Sequence, residues 1–386
     1  MNSQLVWAEV NLKTIGNNIR QVRKITGANV RFMAVVKANA YGHGMIEVAK
    51  CAMDNGADAF GVAKISEAIR LREAGLELPV LIFGFTPLSF AKHLVEYDFT
   101  QTVYSNEMAE ALSTAAVVLG KKIRIHVKID TGMGRLGLLP DCLRYVDSLS
   151  EKRNEIVCEI ESIDKLPGLE TEGVFTHFAT ADSKDKTYAN RQFEIFTEIL
   201  DQLHSHGLDI PVKHAANSAA IIDMPETHLD MVRCGILVYG LYPSADVNHH
   251  RISIKPAMAL KTRIIHLKRV QPGFKISYGG TFEAGRSIVI ATLPVGYSDG
   301  LNRLLSSGGY MLVSGKRANI AGRVCMDLTM LDMNDDLKVA VEDEVVILGR
   351  QGKAAITADE IALLTNTINY EVLTSIPENI KRYYLK

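Results

Sequence analysis

The stretch Arg31-Phe32-Met33-Ala34-Val35-Val36-Lys37-Ala38-Asn39-Ala40-Tyr41-Gly42-His43-Gly44 decides between two parallel α/β architectures. Arg31–Lys37 reads as a strand, and the amphipathic stretch Ile46–Asn55 beyond it reads as a helix. A doubly wound sheet usually carries G-x-G-x-x-G in the turn after its first strand, and none appears here. Seven further short runs rich in Val, Ile and Phe follow: Ala59–Ala63, Val80–Gly84, Thr100–Tyr104, Lys122–Ile129, Glu172–His177, Val212–Ala216 and Asp230–Ile236. Helical stretches such as Ser66–Ala74, Asn106–Leu119 and Tyr188–His206 separate them. In the last of these Phe193, Phe196, Ile199, Leu200 and Leu203 share one face. Eight strands, each followed by a helix over roughly 240 residues, predict a TIM-type (β/α)8 barrel.

After Tyr242-Pro243-Ser244 the texture changes to short alternating runs: Ala259–Ile265, Ser287–Thr292, Gly309–Ser314, Lys316–Ile320 and Glu344–Leu348. Ser298-Asp299-Gly300 and Ser307-Gly308-Gly309 punctuate them, and one late helix is expected at Ala358–Leu364. The expected division is a barrel over residues 1–243 and a mainly β domain over 244–386.

Composition narrows the function classes. The 386 residues carry 43 Lys+Arg against 44 Asp+Glu, a formal net charge of -1. Such a balance argues against a broad nucleic-acid or acidic-membrane footprint. Cys51, Cys142, Cys158, Cys234 and Cys325 are odd in number and contain no C-x-x-C pair, so reduced thiols are expected. The N-terminus lacks a basic region and an apolar run, and the longest apolar stretch, Ile288 to Val295, is too short to span a bilayer. The expectation is a soluble cytoplasmic protein with no nucleic-acid or membrane partner.

In a parallel barrel the chemistry gathers at the C-terminal ends of the strands. Lys37 closes the apolar run of the first strand. It either snorkels outward or is a desolvated amine able to form a Schiff base, and its position supports both readings. The fifth strand ends in Asp130-Thr131-Gly132-Met133-Gly134-Arg135, whose glycines lack the Lys-Ser/Thr pair of a phosphate loop. His177, after the sixth strand, is by itself most simply a core histidine, and no third ligand accompanies His177 and Asp182, so no metal site is expected. Ser218 and the amides of Gly235 and Ile236 stand where barrels often bind phosphate. Arg233, beside them in an apolar strand, needs an acceptor. An aldehyde for Lys37, a phosphate for Ser218 and a ring nitrogen for Arg233 together describe pyridoxal 5'-phosphate.

These residues lie in motifs that resemble the alanine racemase family, pyridoxal-phosphate enzymes of fold type III. The motifs are Ala34–Gly44, His126–Arg135, Thr176–Asp182, Asn217–Ala220, Met231–Ile236, Ile276–Gly279, Pro294–Gly300, Gly322–Asp327 and Thr367–Val372, in that order along nearly the whole chain. The resemblance implies that Lys37 binds the cofactor covalently. It places Tyr41, Asn217, Ser218, Gly235, Ile236 and Tyr370 with the cofactor and its phosphate, and Arg233 at the pyridine nitrogen with His177 adjacent. Arg135, Met326, Tyr297 and Asp327 fall with the substrate, and Lys128 matches a lysine that is carbamylated in many family members. It further implies a homodimer with shared active sites, in which Tyr278 and Met326 come from the neighbouring subunit.

The activity implied is interconversion of L-alanine and D-alanine, which supplies D-alanine for peptidoglycan. Inverting a Cα centre means taking a proton from one face and returning one to the other, so two bases are the simpler solution. Lys37 serves one face and Tyr278 the other. An unperturbed tyrosine titrates near ~10, so a positive neighbourhood around Arg233 and His177 is required. The alternatives are a serine-directed or broad-specificity racemase on the same scaffold, a pyridoxal-dependent decarboxylase, or a non-enzymatic cofactor carrier made of the barrel alone. A carrier has no need of the β domain or of Tyr278. The segment 147–173 is longer than the family pattern suggests and charged over Glu151–Asp164, which reads as an extended, solvated helix and loop.

Overall fold

The first strand of the chain, β1 (Val6–Asn11), does not join the sheet that follows it. That sheet consists of β2 (Arg31–Val35), β3 (Ala59–Val62), β4 (Val80–Ile82), β5 (Thr100–Val103), β6 (Ile123–Lys128), β7 (Leu169–Phe175), β8 (Val212–His214) and β9 (Met231–Cys234). All its ladders are parallel; β2 to β8 pair in chain order and β9 pairs with β2. Two backbone hydrogen bonds, Asp230 N to Lys213 O at 3.1 Å and Arg233 N to Ala216 O at 3.0 Å, bridge β8 and β9. The sheet thus closes into the eight-stranded parallel barrel that the alternation predicts, each strand within a few residues of its expected span. The computed structural model describes residues 4–144, 155–333 and 338–386.

Sequence explains the helices around the barrel. Ser105 caps Asn106–Val118 by accepting from Met108 N at 3.2 Å, and Ala109, Leu112 and Ala116 form its buried stripe. Thr187–Ser205 buries Ile195, Phe196, Ile199 and Leu203, close to the predicted face. The expected solvated helix near 147–173 differs: Glu155–Asp164 is helical but buries Ile156, Val157, Ile160 and Ile163. Residues 145–154 of that segment lie outside the described residues.

By their contacts the residues divide into two units, Ile15–Ala40 with Met45–Lys255, and Met1–Thr14 with Tyr41–Gly44 and Pro256–Lys386. The junction between the two units falls at 255/256. The cause is Asn18, fully buried in the barrel unit, whose amide donates to Lys255 O at 2.9 Å and accepts from Lys255 N at 3.0 Å. The N-terminal residues change sides because β1 finds its ladder partners in the β unit.

The β unit is built from β1 and from β10 (Met258–Arg263), β11 (His266–Val270), β12 (Lys275–Ile276), β13 (Phe282–Glu283), β14 (Ile288–Leu293), β15 (Tyr310–Val313), β16 (Lys316–Ile320), β17 (Thr329–Met333), β18 (Glu344–Gln351), β19 (Ala354–Ile356) and β20 (Lys381–Leu385). β1 runs antiparallel to β10 and parallel to β20. The main sheet runs β11-β14-β17-β16-β15-β18-β10-β1-β20. Short helices at Ala358–Leu364 and Asn369–Thr374 complete the unit. No described helix is long and apolar enough to cross a membrane.

Candidate active site

Lys37 follows β2 at the start of a tight left-handed turn. Ala38, Asn39, Ala40 and Tyr41 have φ of 51°, 53°, 53° and 50°. This region costs an L-residue about 1–2 kcal/mol each and is rarely adopted in succession. Local bonds hold it: Ala38 N donates to Glu67 Oε1 at 2.7 Å, Ala40 N to Val36 O at 2.9 Å, and Met45 N to Asn39 Oδ1 at 2.9 Å. Backbone strain maintained by such bonds is typical of a functional position. The Lys37 amine has a lowered pKa, chiefly from burial and then from Arg135, with Glu67 opposing. Lowering the pKa favours the nucleophilic neutral amine.

Arg233 occupies the centre of the barrel end, 4 % exposed. Its Nη1 donates to His214 Nδ1 at 2.9 Å and His214 O at 3.2 Å. Its Nη2 donates to Thr176 O at 2.7 Å, Ala215 O at 2.9 Å and His177 Nδ1 at 3.1 Å. A guanidinium held by five contacts has a fixed plane, and its partners offset the cost of burying it. His177, half-buried beside Arg233, has a pKa well below the usual range because of burial, then Arg233 and three further cations. The ring is therefore neutral, and Nδ1 is an acceptor towards Arg233.

Lys128 projects from β6, 4 % exposed, with its Nζ 5.1 Å from the centre of the Phe175 ring and no hydrogen-bond partner. Burial, then Arg233 and Arg135, push its pKa down to about 7, against the pull of Asp130. The loop carrying Arg135 is tied to Asp130. Its Oδ1 accepts from the amides of Gly132, Met133 and Gly134, and its Oδ2 from that of Arg135 at 2.9 Å. Burial alone would raise the Asp130 pKa, but these four amides outweigh it and hold the carboxyl below its ordinary value. Gly137, with φ of 141°, closes the loop where a Cβ would stand 2.4 Å from Asp130 N. Tyr188 Oη adds a bond to Gly132 O at 2.8 Å.

After β8, Asn217 Oδ1 accepts from Ala219 N and Ala220 N, both at 3.1 Å, so its oxygen caps the helix Ser218–Asp223. Ser218 Oγ accepts from Gly235 N at 2.9 Å. The Gly235 amide, expected to face a phosphate, is thus also a partner of Ser218. Tyr239, fully buried, donates from Oη to Val35 O at 2.8 Å and fastens the turn after β9 to the strand that presents Lys37.

The remaining expected residues lie in the β unit. The ring centres of Tyr41 and Tyr370 lie 6.0 Å apart with their planes tilted by 50°. Gly42 permits this segment to pack, since a Cβ there would stand 2.3 Å from Leu373 O, and Arg382 Nε donates to Gly42 O at 3.0 Å. Tyr278 is 71 % exposed and Met326 54 %. Tyr278 follows Ser277, held at φ of 65° by a hydrogen bond from its Oγ to Arg323 O at 2.6 Å. Ser298 Oγ binds both Met326 O and Asp327 Oδ1 at 2.9 Å, and Tyr297 N donates to Cys325 O at 3.0 Å. Tyr278, Tyr297, Met326 and Asp327 are therefore carried on three linked loops.

Several residues of this constellation escape a motif-by-motif reading: Asp130 as the anchor of Arg135, Thr176 and His214 as partners of Arg233, and Phe175 beneath both cations. One signal was available. His126 and Lys128 stand two apart on β6 and so share a face.

Arg135 and Arg233 give the barrel end positive charge, alongside the pKa-lowered amines of Lys37 and Lys128. That charge, the orphaned Lys128 amine and the fixed Arg233 fork suit a phosphate-bearing aromatic cofactor and a carboxylate substrate. Comparison with known proteins agrees. The alanine racemase N-terminal domain model matches residues 10–243 and the alanine racemase C-terminal domain model residues 257–384. An alanine racemase of Desulfosudis oleivorans is 50 % identical over 384 residues, covering 100 % of this chain and 97 % of that protein. One from Methanococcus maripaludis is 46 % identical, with 100 % of both chains covered. The solved alanine racemase of Clostridium difficile 630 superposes with a TM-score of 0.92 at 39 % identity, over 100 % of this chain and 97 % of that one. A histidine racemase from Leuconostoc mesenteroides subsp. sake has a TM-score of 0.88 at 26 % identity, over 100 % of this chain and 99 % of that one. The two domain matches and these full-length identities establish that the chain belongs to the alanine racemase family of isomerases.

Proposed function

We propose that this protein interconverts L-alanine and D-alanine with pyridoxal 5'-phosphate bound through Lys37, and that Tyr278 of a partner subunit is the second base. The observation that carries the reading is the Arg233 guanidinium fixed by Thr176 and His177, with the half-buried, pKa-lowered Lys37 also acting on His177. Bound through Lys37, the cofactor would supply an electron sink for the pair left at the substrate Cα when its proton departs.

The chain's own groups do the rest. The Lys37 amine, neutral because its pKa is lowered, would take or return the proton on one face of Cα. Tyr278 serves the other face. Ser218, Gly235, Ile236 and Asn217 would hold the phosphate, with Tyr41 and Tyr370 offering their hydroxyls. Arg233, with His177 at its side, would set its positive charge beside the ring nitrogen and disfavour protonation there, which would limit transamination and decarboxylation side reactions. Arg135 binds the substrate carboxylate, and Met326, Tyr297 and Asp327 shape the substrate pocket.

The exposure of Tyr278 and Met326 fits residues that complete a neighbour's site within a homodimer. Lys128 fits carbamylation. A neutral amine adds to carbon dioxide, a C–N bond forms, one proton leaves, and the resulting anion would pair with Arg135. Intact-mass measurement in bicarbonate buffer checks it, and Lys128→Met should remove the added mass. None of the five cysteines forms a disulfide, which fits a cytoplasmic enzyme supplying D-alanine for peptidoglycan.

The test is direct. Cofactor-loaded protein is incubated with L-alanine and D-alanine is measured, with L-serine, L-lysine and L-histidine in parallel. Turnover of alanine well above the others supports the proposal. A higher rate with serine or histidine would select the broader reading, for which the histidine racemase neighbour gives reason to look. Absence of an absorption band near ~420 nm after cofactor addition would sink both.

A further inference from the structure

The N-terminal mouth of the barrel, at the opposite ends of the strands from Lys37, holds a cavity of about 280 Å³. Arg31, Thr100, Val212 and Met231, each the first residue of its strand, line it together with His126 and Glu172. Glu172 arrives there through a β-bulge: Ile125 pairs with Thr171 and His126 with Gly173, so Glu172 is the extra residue of β7. Gly173 leaves room for the His126 ring, since a Cβ there would lie 2.7 Å from its atoms.

From this mouth a line of polar groups runs up the barrel to Arg233. Thr100 Oγ1 donates to Glu172 Oε2 at 3.2 Å, and Glu172 Oε2 lies 3.5 Å from His126 Nε2. His126 Nδ1 is 2.8 Å from His214 Nε2, and His214 Nδ1 is 2.9 Å from Arg233 Nη1. Phe175 stacks on His214 with ring centres 4.6 Å apart and planes at 7°, which prevents the ring from turning.

The direction of the chain follows from its ends. Arg233 can only donate, so His214 Nδ1 must accept. Burial lowers the pKa of both His214 and His126, so each ring is neutral and carries a single N–H. The His214 proton is therefore on Nε2 and goes to His126 Nδ1, which leaves the His126 proton on Nε2, towards Glu172. The His126 ring, 3.5 Å away, pulls the Glu172 pKa down to about 2, so the carboxylate can only accept. A cation at one end and an anion at the other permit only one arrangement of protons between them.

We propose that Glu172 and His126 are positioning residues for the reaction, fixing the tautomer of His214 and through it the orientation of the Arg233 fork. The inference rests on the reading above, in which Arg233 faces the ring of the cofactor. Replacing Glu172 with Gln or Met removes the anion that reinforces this order and leaves Arg233 as its only bias, so the reversed chain gains population. In that state His214 would turn an N–H towards the N–H of Arg233, and the fork would lose a partner.

The experiment uses cofactor-loaded enzyme with 15N-labelled histidine, as wild type, Glu172→Gln, Glu172→Met, and Glu170→Gln as an exposed control on the same strand. In wild type, His126 and His214 should both show the Nε2–H tautomer. In Glu172→Gln and Glu172→Met that uniformity should be lost, with kcat per bound cofactor about tenfold lower, the size of one lost charge-assisted hydrogen bond. KM for alanine should stay within about twofold, because Arg135 is untouched. Unchanged tautomers with unchanged kcat per bound cofactor in both variants would overturn the proposal, as would a loss confined to melting temperature. Arg233→Lys separates the two levels. If it shifts the cofactor absorption while the Glu172 variants do nothing, only the relay fails. If it leaves absorption and kcat unchanged, the reading of Arg233 fails with it.

Discussion

The two units carry their functional groups in opposite ways. In the barrel, Arg233, Lys128, His214 and Ser218 are buried and held by short bonds to neighbours within the same unit, Lys128 excepted. In the β unit, Tyr278, Met326 and Tyr297 stand 71 %, 54 % and 43 % exposed on loops whose backbones are fixed while their side chains face outward. Buried polar groups must find partners inside their own fold, so the barrel half of the site is complete as a structure before any cofactor arrives. The exposed half has large apolar and aromatic tips with little to cover them. A group that performs chemistry in a dry site but is exposed in its own unit needs a second surface to exclude water.

This contrast makes predictions, the largest first. Lys37→Ala should abolish racemisation and the ~420 nm band together, since it removes both the attachment and one base. Tyr278→Phe should keep the band and lower the rate by roughly 10²–10⁴-fold, the usual worth of one positioned general base. Because Tyr278 is exposed in its own unit, the stability of that variant should lie within about 0.5 kcal/mol of wild type by denaturant titration. A loss of several kcal/mol would mean that the exposed half is also structural.

Buried positions in the barrel should behave differently. Gly173→Ala, whose Cβ would press on His126, should cost about 1–3 kcal/mol by overpacking, visible as a lower urea midpoint with an unchanged slope. Asp130→Asn gives the smallest and most specific effect. The folded-state pKa of Asp130 is depressed, so its contribution is fully present above the ordinary carboxyl value near ~4 and is lost as pH falls through the lower folded value. The variant should therefore be less stable than wild type at neutral pH by roughly 1–2 kcal/mol, and the gap should close in strong acid. A gap independent of pH would show that the four amides respond to shape rather than charge.

Much of the barrel was legible because parallel strands buried on both faces read as continuous apolar runs, and eight such runs separated by helices leave few topologies. Lys37 and Arg233 stood out because charge in an apolar run is costly and needs a reason, whereas His177 by itself read as a core histidine. Other features left no local trace. β1 pairs with β10 and β20, and a ladder between the two ends of a chain has no signature within Val6–Asn11. Ala38–Tyr41 contains no glycine, so its composition does not announce a left-handed turn; a bond from Ala38 N to Glu67 and one from Met45 N to the Asn39 side chain hold it. The bulge that turns Glu172 inward is equally silent, because one extra residue in a strand looks like any other. Asp130 was visible as a residue but not as the anchor of Arg135, a role that exists only once the loop closes.

The most direct test of a site divided between two chains is subunit complementation. Lys37→Ala and Tyr278→Phe subunits, differently tagged and co-expressed, are purified as the mixed dimer and assayed for conversion of L-alanine to D-alanine. Each parent homodimer should be strongly impaired, whereas the mixed dimer holds one site with both an intact Lys37 and an intact Tyr278. The account predicts recovery to about half of the wild-type rate, one working site of two in a two-fold assembly. A mixed dimer no more active than its parents would contradict it and place Lys37 and Tyr278 of each site in the same chain.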